Sequence, residues 1–220
     1  MLSVIIPTMW KYAPFQGVLP FIIKSPAVGQ VILINNNNTE APDLPWFDSP
    51  KVNIVTPSTN LYVNPSWNLG VNISNYDKIC VLSDDVILDT RLFEKADKFL
   101  NETVGVLGVC PGNIEQQQPV VTTGEIDIVE WPSNPYISHW GFGSCFFMMK
   151  KHWKQIPQEL KIWYGDTLQW ENQIKEGRKN YLATNLIYYS PQAITVSSLT
   201  EPVNVDMVED KFYAEFSKSL

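Results

Sequence analysis

The stretch that decides the fold is Lys78-Ile-Cys-Val-Leu82, which runs without a break into Ser83-Asp84-Asp85-Val-Ile-Leu88. A short apolar run with no polar alternation describes a strand covered on both faces, the kind found in parallel sheets. Two adjacent carboxylates just beyond it repel one another unless they are solvated or share a cation. In open α/β sheets that C-terminal edge is also where ligands sit. Taken alone, the aspartate pair reads more readily as a solvated turn, with Asp89 left to cap the next helix.

Outward from this point, residues 2–6, 31–34 and 52–55 are three more runs of the same kind, so the chain reads as an α/β fold with a mainly parallel sheet and crossover helices. Asn64-Pro65 predicts a helix N-cap with proline at the first helical position, continued by Trp67 and Val71. After the fourth strand, Leu92, Phe93, Ala96, Phe99 and Leu100 form one helical stripe that Asp89 can cap, leading to a fifth strand at 104–110. Residues 111–138 turn to Gln, Thr, Pro and Asn and predict a surface excursion in which only 126–129 looks strand-like. Order returns with Trp140-Gly-Phe-Gly143-Ser-Cys-Phe-Phe-Met-Met149. Asp166 then opens a helix that Gly177 ends, and two short strands follow at 181–183 and 186–189. Phe212, Tyr213 and Phe216 fall on one face of a terminal helix.

Composition bounds the rest. With 220 residues, 45% of them hydrophobic and 18% charged, the chain suits one ordered domain. A net charge of -7 offers no footprint for duplex nucleic acid. Cys80, Cys110 and Cys145 each sit in an apolar run with no CxxC spacing, as buried thiols in a reducing compartment do. No basic leader and no spanning segment is present, which places the protein in the cytoplasm, a host's cytoplasm if a virus encodes it.

Four pieces, in order and spacing, resemble the GT-A glycosyltransferases and glycosyltransferase family 2 in particular. They are Val4-Ile-Ile-Pro7-Thr8, Val31-Ile-Leu-Ile-Asn35-Asn36-Asn37, Asn64-Pro-Ser-Trp-Asn68-Leu-Gly70 and Leu82-Ser-Asp84-Asp85. The resemblance implies a single Rossmann-like domain and transfer of a hexose from a UDP-sugar, UDP-glucose being the common donor, to a glycan, lipid-linked sugar, protein or small-molecule acceptor. It implies Mn2+ or Mg2+ at Asp85, with Asp84 assisting or meeting the ribose. Pro7, Thr8, Asn35, Asn36, Asn37 and Asn68 would surround the nucleotide. Gly141-Phe-Gly143 resembles the segment lining the sugar and acceptor side, with Trp140 as a stacking ring, and Trp163-Tyr-Gly-Asp166 resembles the segment that supplies the catalytic base. Residues 1–110 would then be the donor half, 111–189 the acceptor and catalytic half of the same domain, and 190–220 a tail with a short helix.

Two departures stand out. Ser83 replaces the first carboxylate of the family's Asp-x-Asp, and Tyr188-Tyr-Ser-Pro stands where many members carry a metal-binding histidine. Other readings are a nucleotidyltransferase, which lacks here its basic glycine-rich triphosphate loop, and a non-catalytic nucleotide-sugar or glycan-binding module. A DNA methyltransferase, suggested by Asn64-Pro-Ser-Trp67, lacks the glycine loop after its first strand.

Overall fold

The structure, a computed structural model, describes residues 1–37, 41–109, 124–131, 142–190 and 205–217. Along the first half run β1 (Leu2–Thr8), α1 (Ala13–Lys24), β2 (Val28–Asn35), β3 (Val52–Val55), α2 (Val63–Ile73), β4 (Lys78–Leu82), β5 (Ile87–Leu88), α3 (Arg91–Phe99) and β6 (Val104–Val109). The second half adds β7 (Asp127–Glu130), β8 (Cys145–Met149), α4 (Gly165–Lys175), β9 (Lys179–Thr184), β10 (Tyr188–Tyr189) and α5 (Val205–Phe216).

Eight strands form one sheet in the order β3-β2-β1-β4-β8-β6-β9-β7. Neighbours β3, β2, β1 and β4 are parallel, as are β6 and β9, whereas β8 runs against both β4 and β6 and β7 runs against β9. The mainly parallel α/β sheet expected from the apolar runs is therefore present. A separate ribbon pairs β5 with β10, setting Tyr188 opposite Leu88.

Both faces of the sheet are covered, which is why its central strands carry no polar alternation. Leu2, Val4 and Ile6 of β1 face a layer built from Phe15, Leu19 and Ile22 of α1 and Leu92, Phe93 and Ala96 of α3. Ile5 faces the other way, into Trp67 and Val71 of α2, Leu168 and Trp170 of α4, and Tyr213 of α5. Each such side chain stabilises the fold by about 1.5–3 kcal/mol when fully buried. A methyl group on Gly70 would overlap Ile5, so the absence of a side chain there lets α2 lie directly on β1. Cys80 and Cys145 are free and buried, as expected; Cys110 lies outside the described residues. Among the described residues no helix is long and apolar enough to cross a membrane.

Two helix starts differ from the sequence expectation. Helix α2 begins at Val63 rather than after an Asn64 cap, because the N–H groups of Val63 and Asn64 both donate to Lys161 O, at 3.0 and 2.9 Å. A remote carbonyl thus satisfies the orphan donors of the first turn, and the Asn64 amide donates instead to Trp163 O at 2.8 Å. Helix α4 begins at Gly165, preceded by Tyr164 in the left-handed region, so Asp166 sits within the first turn instead of capping it.

Candidate active site

Chain direction gathers the site. Strands β1 and β2 end side by side, Thr8 opposite Asn35, and β4 ends at Leu82. Because β8 is reversed, its first residue, Cys145, pairs with Leu82, which delivers Gly143 and Ser144 to the same edge of the sheet. There the Ser83 N–H donates to Ser144 O at 2.8 Å. The order β3-β2-β1-β4 puts a topological switch point between β1 and β4, where α/β sheets open a crevice.

The aspartate pair lies in that crevice and is not a solvated turn: Asp84 is 6% exposed and Asp85 8%. The Thr8 hydroxyl donates to the Asp84 carboxylate at 2.6 Å. Burial raises the Asp84 pKa, although the hydrogen bonds from Thr8 and from the Met9 backbone pull the other way. Asp85 is pushed up to about 6, first by burial and then by the charge of Asp84. Its own charge acts on the Tyr12 and Tyr188 phenols, both of which are raised chiefly by burial.

Two crowded carboxylates at a switch point form a site of negative potential, suited to a hard cation. Among the described residues no group of three or more His, Cys, Asp or Glu side chains forms a closed metal cage. The available donor set is one or two carboxylates, the pattern by which Mg2+-like ions are held when substrate phosphates and water complete the shell. Tyr188, which the sequence comparison set where many members of the resembled family carry a histidine, shares a hydrogen bond with the Ser144 hydroxyl.

The asparagines divide into two kinds. Asn35 is fully buried, its carbonyl accepting the Trp10 indole N–H at 3.0 Å and the Asn37 N–H at 3.2 Å, and its amide donating to the Thr56 hydroxyl at 3.3 Å. Asn36 donates to Tyr62 O at 3.1 Å and to the Ser66 hydroxyl at 3.0 Å, while its carbonyl accepts the Leu61 N–H at 3.1 Å. Its backbone N–H donates to Thr8 O at 2.8 Å. Both amides therefore knit the ends of β1 and β2 to residues 56–66, and only Asn37 of the three is exposed. Pro7, half-buried, precedes Thr8 at the end of β1.

Asn68, expected beside the nucleotide, directs its side-chain hydrogen bonds to protein partners. Its amide donates to Ile156 O at 2.8 Å, and its carbonyl accepts from the Trp153 indole at 3.0 Å and from Ile156 N–H at 3.1 Å. It fastens α2 to the segment after β8.

Asp166 is brought to the site through Gly143. A methyl group on Gly143 would overlap the Asp166 carboxyl group, so only glycine permits this approach. Part of the Asp166 side chain reaches the surface, yet burial of its carboxyl group raises its pKa against hydrogen bonds from the Thr167 and Gly143 backbones. Trp140 and Gly141 lie outside the described residues.

Two aromatic residues with unusual backbone, Trp10 and Tyr62, escaped the sequence reading, which had reached the third, Tyr164, only within Trp163-Tyr-Gly-Asp166. Trp10, Tyr62 and Tyr164 all have positive φ, 59°, 62° and 64°, a conformation costing an L-residue about 1–2 kcal/mol. The Trp10 backbone N–H donates to the Thr8 hydroxyl at 2.9 Å, which aims that hydroxyl at Asp84. Such strain concentrates at functional sites. The only local signal was the aromatic density of Met9-Trp10-Lys11-Tyr12 directly after β1.

Sheet order, reversed β8 and the edge carrying Asp84 and Asp85 together define the class: the chain has the GT-A glycosyltransferase fold. No protein-family model matches the sequence, and no curated protein does. Solved structures do. S. aureus TarS 1-349 in complex with UDP-GlcNAc is similar with a TM-score of 0.64 and 14% identity, over 94% of this chain and 64% of that one. TarS 1-349 in complex with UDP gives 0.59 and 16%, over 86% and 60%. GalNAc-T7 with UDP, GalNAc and Mn2+ gives 0.56 and 11%, over 97% and 50%. This chain thus spans less than two-thirds of each of these neighbours.

Proposed function

We propose that the protein is a metal-dependent glycosyltransferase that moves a hexose from a UDP-sugar to an acceptor hydroxyl. The observation that carries this reading is the buried Asp84–Asp85 pair, tied to Thr8 at the switch point of the sheet. Asp85, with Asp84 beside it, would hold Mn2+ or Mg2+, whose charge neutralises a diphosphate leaving group. Thr8 and Pro7 border the nucleotide, and Asn35 and Asn36 act by shaping that wall, leaving Asn37 as the asparagine that can reach the base. Asp166, with its raised pKa, takes the proton of the attacking hydroxyl as general base. On this reading residues 1–110 form the donor side and 111–189 the acceptor side. The UDP, UDP-GlcNAc, GalNAc and Mn2+ in the neighbours' structures support the donor class and the metal.

The test is UDP release from UDP-glucose, UDP-GlcNAc and UDP-GalNAc, each with and without Mn2+. Mn2+-dependent release that Asp85→Ala abolishes is the expected result. Pyrophosphate release from a nucleoside triphosphate would make the protein a nucleotidyltransferase. Binding without release of either product would make it a non-catalytic module.

A further inference from the structure

The segment just ahead of Asp166 is gripped from two sides. Toward α2, the carbonyl of Lys161 accepts the Val63 and Asn64 N–H groups, and the carbonyl of Trp163 accepts the Asn64 amide. Toward α5, the Glu209 carboxylate accepts the N–H of Lys161 at 2.9 Å, of Ile162 at 3.1 Å and of Trp163 at 2.8 Å. Glu209 is 1% exposed, so these bonds form out of water, where charge-assisted hydrogen bonds are strong. Around this contact the Tyr164 ring stacks on Tyr213 at 4.3 Å, its hydroxyl meets Asp210, and the Tyr213 hydroxyl donates to Glu171 of α4 at 2.8 Å.

A buried carboxylate that binds three consecutive backbone N–H groups is not a surface residue of an acidic tail. It fixes the path of 161–163, which leads into Tyr164 at φ 64°, then Gly165 packed against Asn64, and then Asp166. We infer that Glu209 of α5 is a positioning residue for the reaction: it holds residues 161–163 so that Asp166 stays in place against Gly143. The inference rests on the function proposed above in giving Asp166 the role of base; the grip itself does not. The C-terminal helix is then a working part of the site, contributed from a region otherwise read as a tail.

Full-length chains carrying Glu209→Gln, Glu209→Asp and, as companion, Tyr213→Phe are compared with the parent in Mn2+-dependent UDP release and in amide hydrogen exchange over 161–166. Glu209→Gln keeps one acceptor oxygen for three donors. Its kcat is expected to fall about tenfold or more, because small misplacements of a reacting group are costly. KM for the UDP-sugar should change by less than about twofold, since donor binding is untouched. The acidic limb of the kcat–pH profile should move to lower pH, because a loosened Asp166 is better solvated and ionises more easily. Exchange at 161–163 should quicken about tenfold or more. Glu209→Asp should recover part of the loss, and Tyr213→Phe should stay within about twofold of the parent.

A Glu209→Gln chain that keeps kcat overturns the inference. So does one that loses kcat with an unshifted pH profile, since that pattern is only a smaller folded fraction. If Glu209→Gln fails to fold, Glu209→Asp is judged by the same criteria. A parent that releases UDP from no sugar nucleotide refutes the proposed function, and exchange still decides the grip: unchanged exchange at 161–163 overturns it, faster exchange upholds it.

Discussion

Replacing Asp85 by asparagine should stabilise the metal-free protein while abolishing its activity. The Asp85 carboxyl group is raised from its ordinary 3.8 to about 6 because it is buried beside Asp84. A carboxyl group whose pKa is higher in the folded than in the unfolded state binds its proton more tightly when folded. The folded form is therefore favoured below the unfolded pKa, and that advantage is lost as pH rises through about 4 to 6. With 1.36 kcal/mol per pKa unit, the whole loss is about 3 kcal/mol, of which about 2 kcal/mol falls between about pH 4.5 and 7.5. Asparagine keeps the shape and carries no charge, so this part of the pH dependence disappears. For a chain of this size about 2 kcal/mol is about 4–8 °C in Tm. Thermal and urea melts of parent and Asp85→Asn in EDTA across this pH range measure the difference directly. The variant's advantage should widen with rising pH, and Mn2+ with UDP should stabilise the parent alone. An Asp85→Asn protein no more stable than the parent at about pH 7.5, or an advantage that does not change with pH, would refute the picture of two crowded, desolvated carboxylates.

Other perturbations test other parts of the site. Gly143→Ala forces its methyl group onto the Asp166 carboxyl group. It should destabilise by about 1–3 kcal/mol and cut UDP release more than the melt accounts for. Asn36→Ala leaves Tyr62 O, the Ser66 hydroxyl and the Leu61 N–H without their common partner. A loss of about 2–3 kcal/mol in a urea melt is expected, together with weaker UDP binding by calorimetry.

The first half of the fold was legible because its strands are buried on both faces and so announce themselves as unbroken apolar runs. Helix α1 was not, since Pro14, Gly17 and Pro20 interrupt it; the structure keeps it helical through Phe15, Leu19, Ile22 and Ile23, packed under the sheet. The reversal of β8 is a long-range pairing that no local pattern encodes. For the site, order along the chain pointed to Thr8 and the aspartates, which fold together, and to Asp166, which packs against Gly143, because each lies where a regular element closes or opens. It did not show that the amides of Asn35, Asn36 and Asn68 turn inward, since polar residues at strand ends and on helices look alike whether they face a ligand or a neighbour. Glu209 was beyond reach for a related reason. One glutamate among several in an acidic stretch carries no mark of the three N–H groups it meets after folding.

The left-handed aromatics make ring contributions separable from backbone contributions. At most positions, glycine substitution removes a side chain and also loosens the chain, so the two effects are confounded. At Trp10, Tyr62 and Tyr164 glycine relieves a steric cost of about 1–2 kcal/mol while adding an entropic one of about 0.5–1 kcal/mol, and the two nearly offset. A glycine scan of these three residues is thus close to a pure ring deletion. Alanine at the same places would retain the twist and lose the ring, so the two scans differ, site by site, by the torsional cost less the entropic one.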